Sequence, residues 1–252
     1  MKLKNDFNTR FSLAILIGML ITVLALNIVK FQDPSTRIFL QCLISIGALA
    51  GVVNTVLSAQ GSIWTYLFGF IDVFIASIVT LESSIGSPNP VWGQFILHAA
   101  YFLPMQFVGY FQWRKRGADS ENSVRARRLG PWGWVITVVG FAAGTVAVYL
   151  LLNVLGGGSA SGPINTIVAL DTIVVALSVL GQVLMSLAYM EQWIAWILVN
   201  VFAIILYALK SSASAADGYT VVYMIKYIFY FVNSINGLRI WIGLSRAERG
   251  EA

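Results

Sequence analysis

Gln106-Phe107-Val108-Gly109-Tyr110-Phe111-Gln112-Trp113 is echoed by Ser234-Ile235-Asn236-Gly237-Leu238-Arg239-Ile240-Trp241, with the Gly and the Trp displaced by 128 positions. Asn54 and Gln182, and Asp72 and Asn200, stand at the same offset. An amide or a carboxylate inside an apolar segment is costly, so polar residues that recur at one displacement mark a duplication. Duplicated halves of this kind are a common sign of a transporter, with the substrate site between them.

The composition agrees. Of 252 residues, 58% are hydrophobic and 11% charged. A soluble domain of this length carries about a quarter charged residues, so the chain reads as a polytopic membrane protein. One cysteine, Cys42, and one histidine, His98, exclude an internal disulfide, a thiolate metal cluster and a His-rich metal site. No cofactor is expected. The net charge of +5 follows the membrane rule below and calls for no nucleic acid partner.

Apolar segments of spanning length lie at about 11–29, 38–57, 63–81, 92–113, 132–155, 166–187, 192–210 and 219–243. The first, after Lys2, Lys4 and Arg10, lacks a small-x-small cleavage site and reads as a retained anchor. The longest polar segment, 114–130, holds Arg114, Lys115, Arg116, Arg125, Arg127 and Arg128. The opposite loops offer Lys30, Arg37 and Lys210. The positive-inside bias places both termini and the basic loop in the cytoplasm. The stretch 156–163, Gly-Gly-Gly-Ser-Ala-Ser-Gly-Pro, reads as an external connector, because it lacks the Lys-Ser/Thr ending of a phosphate loop.

The predicted fold is an all-α integral membrane protein. Two parallel three-helix bundles, 38–113 and 166–245, are joined by a linker helix within 114–165. One extra N-terminal transmembrane helix lies in 1–37, and 246–252 is a cytoplasmic tail. A displacement of four spans returns the chain to the same side, so the halves are parallel.

Trp193, Trp196 and Asn200, at i, i+3 and i+7, form one helical stripe. Two indoles below an amide suit a planar ligand, and indole faces attract cations. Gln106, Gly109 and Trp113 repeat that spacing, echoed by Ser234, Gly237 and Trp241 beside Asn233 and Asn236. The glycines allow close approach of a helix or a ligand. Gln106, Asn233 and Asn236 are expected to form a hydrogen-bonding site. Asp72 matches Asn200 and is expected in the cavity, while an Asp–Lys pair with Lys226 is open to either Asp72 or Asp171. Glu191 and Gln192 read as a helix start, His98 as a satisfied polar residue, and Met185 as packing.

Glu191-Gln192-Trp193-Ile194-Ala195-Trp196-Ile197-Leu198-Val199-Asn200 resembles the Trp-x-x-Trp-x-x-x-Asn motif of the PnuC nicotinamide riboside transporters. Gln106-x-x-Gly109-x-x-x-Trp113 is similar to that family's second motif, and 61–70 also fits. The resemblance covers about 38–245. Asp72 departs from it, since the family leads one to expect Asn, and so does the extra first span. The family implies a SWEET-like fold, a homotrimer in the bacterial inner membrane, and facilitated diffusion of nicotinamide riboside followed by phosphorylation in the cytoplasm. The chemistry agrees with that cargo. Its planar pyridinium cation suits Trp193 and Trp196, and its carboxamide and hydroxyls suit Gln106, Asn200, Asn233 and Asn236. The alternatives are transport of another vitamin such as thiamine, proton coupling through an aspartate, and, from other classes, a membrane enzyme or a receptor.

Overall fold

The computed structural model describes residues 7–33, 37–82, 84–85, 92–155, 166–213 and 218–248. The expected connector at 156–163 lies outside them. The elements are helices: α1 (Phe7–Phe31), α2 (Ile38–Ala59), α3 (Thr65–Glu82), α4 (Trp92–Ile96), a π-helical turn (Leu97–Phe102), α5 (Leu103–Lys115), α6 (Pro131–Leu155), α7 (Thr166–Ser186), α8 (Gln192–Ala213) and α9 (Gly218–Ala247).

Six of these, α1, α2, α3, α6, α7 and α8, are long and apolar enough to cross a membrane over their described residues. The fourth expected span is split among α4, the π turn and α5, and the eighth is α9. These two carry Gln94, His98, Gln106, Lys226, Asn233 and Asn236. The fourth is broken by the π turn into pieces too short to cross alone, and polar interior residues lower the hydropathy of the eighth.

The π turn has a local cause. Pro104 has no amide to donate, and its ring would meet the carbonyl of Ala100 in a regular helix. The helix widens instead, and the Leu103 amide reaches back to the His98 carbonyl. Wide turns of this type often fall at functional sites.

Packing follows the duplication. α2 lies against α3 and α9, and α7 lies against α8 and α5. α3 contacts α5 as α8 contacts α9. The first helix also fits this symmetry: α1 packs on α2 and α9, and α6 packs on α7 and α4. The sequence sets this helix apart as an addition, yet its contacts parallel those of the linker helix. It holds the place in the first half that the linker helix holds in the second. α6 itself has no buried residue among those described.

The basic loop closes one end of the bundle, called here the basic end. It is no loose tether. The Val124 amide donates to the Gly61 carbonyl (3.0 Å), and the Ser123 hydroxyl to the Gln60 carbonyl (2.9 Å). The Arg127 amide donates to the Ala188 carbonyl (2.7 Å), and the Met190 amide to the Arg127 carbonyl (2.8 Å). Thus the loop is hydrogen-bonded to the α2–α3 and α7–α8 turns at once. Glu191, read as a helix cap, instead accepts the Leu129 amide (3.0 Å) and fastens the loop. Asp119 accepts the side-chain N–H of Asn122 and the amides of Glu121 and Asn122, which hold its carboxyl below the usual range.

Above the loop lies an aromatic floor. Trp113 and Trp241 are fully buried, with ring centroids 5.6 Å apart. The Trp113 indole donates to the Met185 carbonyl (2.7 Å) and the Trp241 indole to the Ser58 carbonyl (3.0 Å). Each repeat unit therefore uses its terminal tryptophan to hold the end of the other unit's first helix.

Candidate functional site

Between the two units and above this floor lies a cavity of about 130 Å³. Two larger grooves, of about 420 and 610 Å³, have walls that are mostly apolar and lie between α6 and α7 and between α3 and α5. Polar groups concentrate in the central cavity. The first unit contributes Asn54, Asp72, His98 and Gln106, and the second Gln182, Asn200, Lys226 and Ser234. Trp193, Trp196, Tyr223, Tyr227 and Tyr230 supply the aromatic wall.

Each side chain is set by its neighbours. Asn54 accepts the Thr65 hydroxyl (2.5 Å) across the α2–α3 corner. The Asn200 amide donates to the Ser234 hydroxyl (3.0 Å), which donates to the Tyr230 carbonyl (2.7 Å). The Gln106 amide nitrogen donates to the Phe102 carbonyl (3.2 Å) within its own helix. Its Oε1, and the Nε1 of Trp193, are buried without a hydrogen-bond partner among the described residues. Burying a polar atom unpaired costs about 1–3 kcal/mol. Both residues line the cavity, while these two atoms are sealed from its free space, the Gln106 oxygen being packed beside Gly69 of α3.

Of the residues expected to form the site, Trp193, Trp196, Asn200, Gln106 and Asp72 meet in this wall. Asn233, Asn236, Gly109 and Gly237 lie outside this lining. Asn233 points its amide at Thr55 on α2, donating to the carbonyl (2.9 Å) and the hydroxyl (3.2 Å). Asn236 accepts from Arg239 (2.9 Å to Nη2), and Arg239 also donates to Asn8 and lies over the Phe7 ring. Arg239, which the sequence reading passed over, ties α9 to the start of α1. Gly109 and Gly237 leave room for aromatic rings. A Cβ on Gly109 would overlap Tyr66, and one on Gly237 would lie 2.6 Å from Trp193.

Asp72 is in the cavity and in an ion pair too. Lys226 lies 2.7 Å away, and the Tyr230 hydroxyl donates to the other carboxylate oxygen (3.2 Å). Of the two aspartates open to a pair with Lys226, Asp72 makes it, and it lines the cavity as well. Asp171 instead accepts from Gln94 (3.1 Å) in a small adjoining cavity of about 30 Å³ on the side away from the loop. His98 Nδ1 is 2.7 Å from the Gln94 carbonyl, and Met185, read as packing, lines the main cavity.

The comparisons with known proteins bear on this arrangement. Residues 41–243 match the family described as nicotinamide mononucleotide transporter. The nicotinamide riboside transporter PnuC of Neisseria mucosa is 30% identical over 213 residues, covering 83% of this chain and 75% of its own. The chain belongs to the PnuC family. PnuC of Haemophilus influenzae is 31% identical over 79% of this chain and 78% of its own. A crystal structure of the vitamin B3 transporter PnuC superimposes with a TM-score of 0.70, at 29% identity and 92% coverage of both chains. The all-helical fold is that of PnuC, and the protein is a multi-pass membrane transporter by family. Its relatives are named as transporters, not enzymes.

Proposed function

We propose that this PnuC-family protein takes up nicotinamide riboside by facilitated diffusion. The observation that carries the reading is the cavity wall. Indoles, amides and a carboxylate surround one space between two duplicated units. Trp196 lies flat against Gly181, whose absent side chain lets the indole settle on α7. That leaves an aromatic surface for the pyridinium, an attraction worth about 0.5–2 kcal/mol. The amide of Gln106, in the cavity lining, suits the carboxamide. Asn200 is placed for the ribose.

The family description speaks of the mononucleotide and the relatives' names of the riboside. The cavity favours the riboside. A phosphate needs basic partners, and Lys226 is the only Lys or Arg among the described lining residues, held by Asp72. Trapping would then fall to phosphorylation in the cytoplasm.

In this reading the two units rock about the cavity to give alternating access. The protein sits in the bacterial inner membrane with its termini and basic loop in the cytoplasm, and it works as a homotrimer. Liposomes holding the purified protein take up labelled nicotinamide riboside with no proton or sodium gradient. Excess unlabelled riboside competes; thiamine, uridine and the mononucleotide do not. Sealed vesicles with folded protein and no uptake would sink the proposal.

A further inference from the structure

The Lys226 ammonium occupies a cage. Asp72 Oδ1 lies 2.7 Å from its nitrogen, and the Tyr223 and Tyr230 ring centroids lie 5.2 and 5.3 Å away. The Tyr230 hydroxyl holds the second carboxylate oxygen. Gly51 on α2 makes the space, since a Cβ there would overlap both that hydroxyl and the carboxylate. A carboxylate flanked by aromatic faces is how proteins bind organic cations. Here the cage is built by α3 of one unit and α9 of the other, it opens on the substrate cavity, and its occupant is a side chain.

We infer that Lys226 is a tethered stand-in for the cationic cargo, which neutralises Asp72 when the carrier is empty and yields the cage to the pyridinium when cargo binds. The inference rests on the uptake reading above and deepens it. A buried carboxylate stripped of its partner is strongly disfavoured. A carrier that hands over a cation and then returns empty would have to bring Asp72 back through the closed state uncompensated. Lysine suits the part, being a compact charge on a flexible stem of four carbons. The adjoining small cavity shares His98 and Tyr227 with the main one and holds the Asp171 carboxylate, a neighbouring acid toward which the displaced ammonium can turn. Lys226 thus sets which step needs cargo: the loaded carrier moves without it, and the empty one does not.

The test compares two fluxes in proteoliposomes of the full chain. Net uptake into empty vesicles needs the empty carrier to return; exchange of labelled for unlabelled riboside does not. Lys226→Gln is expected to lower net uptake by at least about tenfold more than exchange. The double variant Asp72→Asn/Lys226→Gln, which leaves no charge to neutralise, is expected to restore the ratio of net uptake to exchange, while both fluxes fall with the lost carboxylate. Equal losses of the two fluxes, or none, would overturn the inference. If Lys226→Gln does not fold, Asp72→Asn decides by binding. With an unpaired ammonium beside the site, affinity for the cationic riboside is expected to fall about tenfold or more, while the neutral dihydro-riboside is little affected. Equal effects on both ligands would overturn it too. Wild-type protein that moves no riboside in either assay would instead refute the uptake reading itself.

Discussion

Gln106 shows how a site residue differs from a structural one. Its nitrogen is spent on the Phe102 carbonyl, while its oxygen stays buried and unpaired. The side chain lines the central cavity, where an amide can hydrogen-bond the cargo. Gln106→Leu therefore raises the nicotinamide riboside Kd about 5–30-fold, or about 1–2 kcal/mol. Calorimetry on the purified protein measures this, and an unchanged Kd would take Gln106 out of the site. Gly237 acts through its neighbour. A methyl group there meets the Trp193 ring, which already rests on Trp241. Gly237→Ala is expected to cost about 1–3 kcal/mol in stability by overpacking and to weaken riboside binding as the indole shifts. Gly243→Ala, where a Cβ meets nothing within 4 Å, is the control and leaves the melting temperature unchanged.

At the scale of helices, the duplication was legible because glycine and tryptophan repeat in place, and the structure gives them equivalent packing roles. What each helix faces was harder to read. The cavity stripe on α9 runs through Tyr223, Tyr227, Tyr230 and Ser234. Asn233 is one position before Ser234 and Asn236 two after, turns of roughly 100° and 200° about the axis. They therefore face α2 and α1, not the cavity. Following the aromatic stripe at i, i+4 and i+7 would have separated them. Lys226 pairing with Asp72 was not legible, because two spans distant in sequence carry no register between them. The π turn was hidden as well, although Pro104 inside an apolar run is the signal for a break. Pro104→Ala permits a regular helix, and losing the wide turn rotates His98 and its neighbours by about 100°. Uptake is expected to fall while thermal stability holds or rises, since proline is a poor helix residue by about 3 kcal/mol. A variant that transports as well as the parent would show that the wide turn is dispensable.

Taken whole, the molecule is shut at its basic end by a reciprocal clasp: Trp113 on the Met185 carbonyl, Trp241 on the Ser58 carbonyl, the two rings in contact, and the loop bonded to both turns beneath. The clasp binds the two units only through their ends, and the bonds within each unit run elsewhere. A rocking motion that releases cargo on this side must therefore part the two tryptophans and expose Ser58, which now lies buried beside Met185. This gives alternating access a direct reading. A Ser58→Cys variant, with Cys42→Ser to remove the native thiol, is expected to resist a membrane-impermeant thiol reagent applied from the side of the basic end without substrate. If the clasp opens as a gate, nicotinamide riboside is expected to raise the labelling rate several-fold. Labelling that is fast in the resting protein, or blind to substrate, would mean that the basal clasp is not a gate. The two hydrogen bonds are modest, about 1 kcal/mol each.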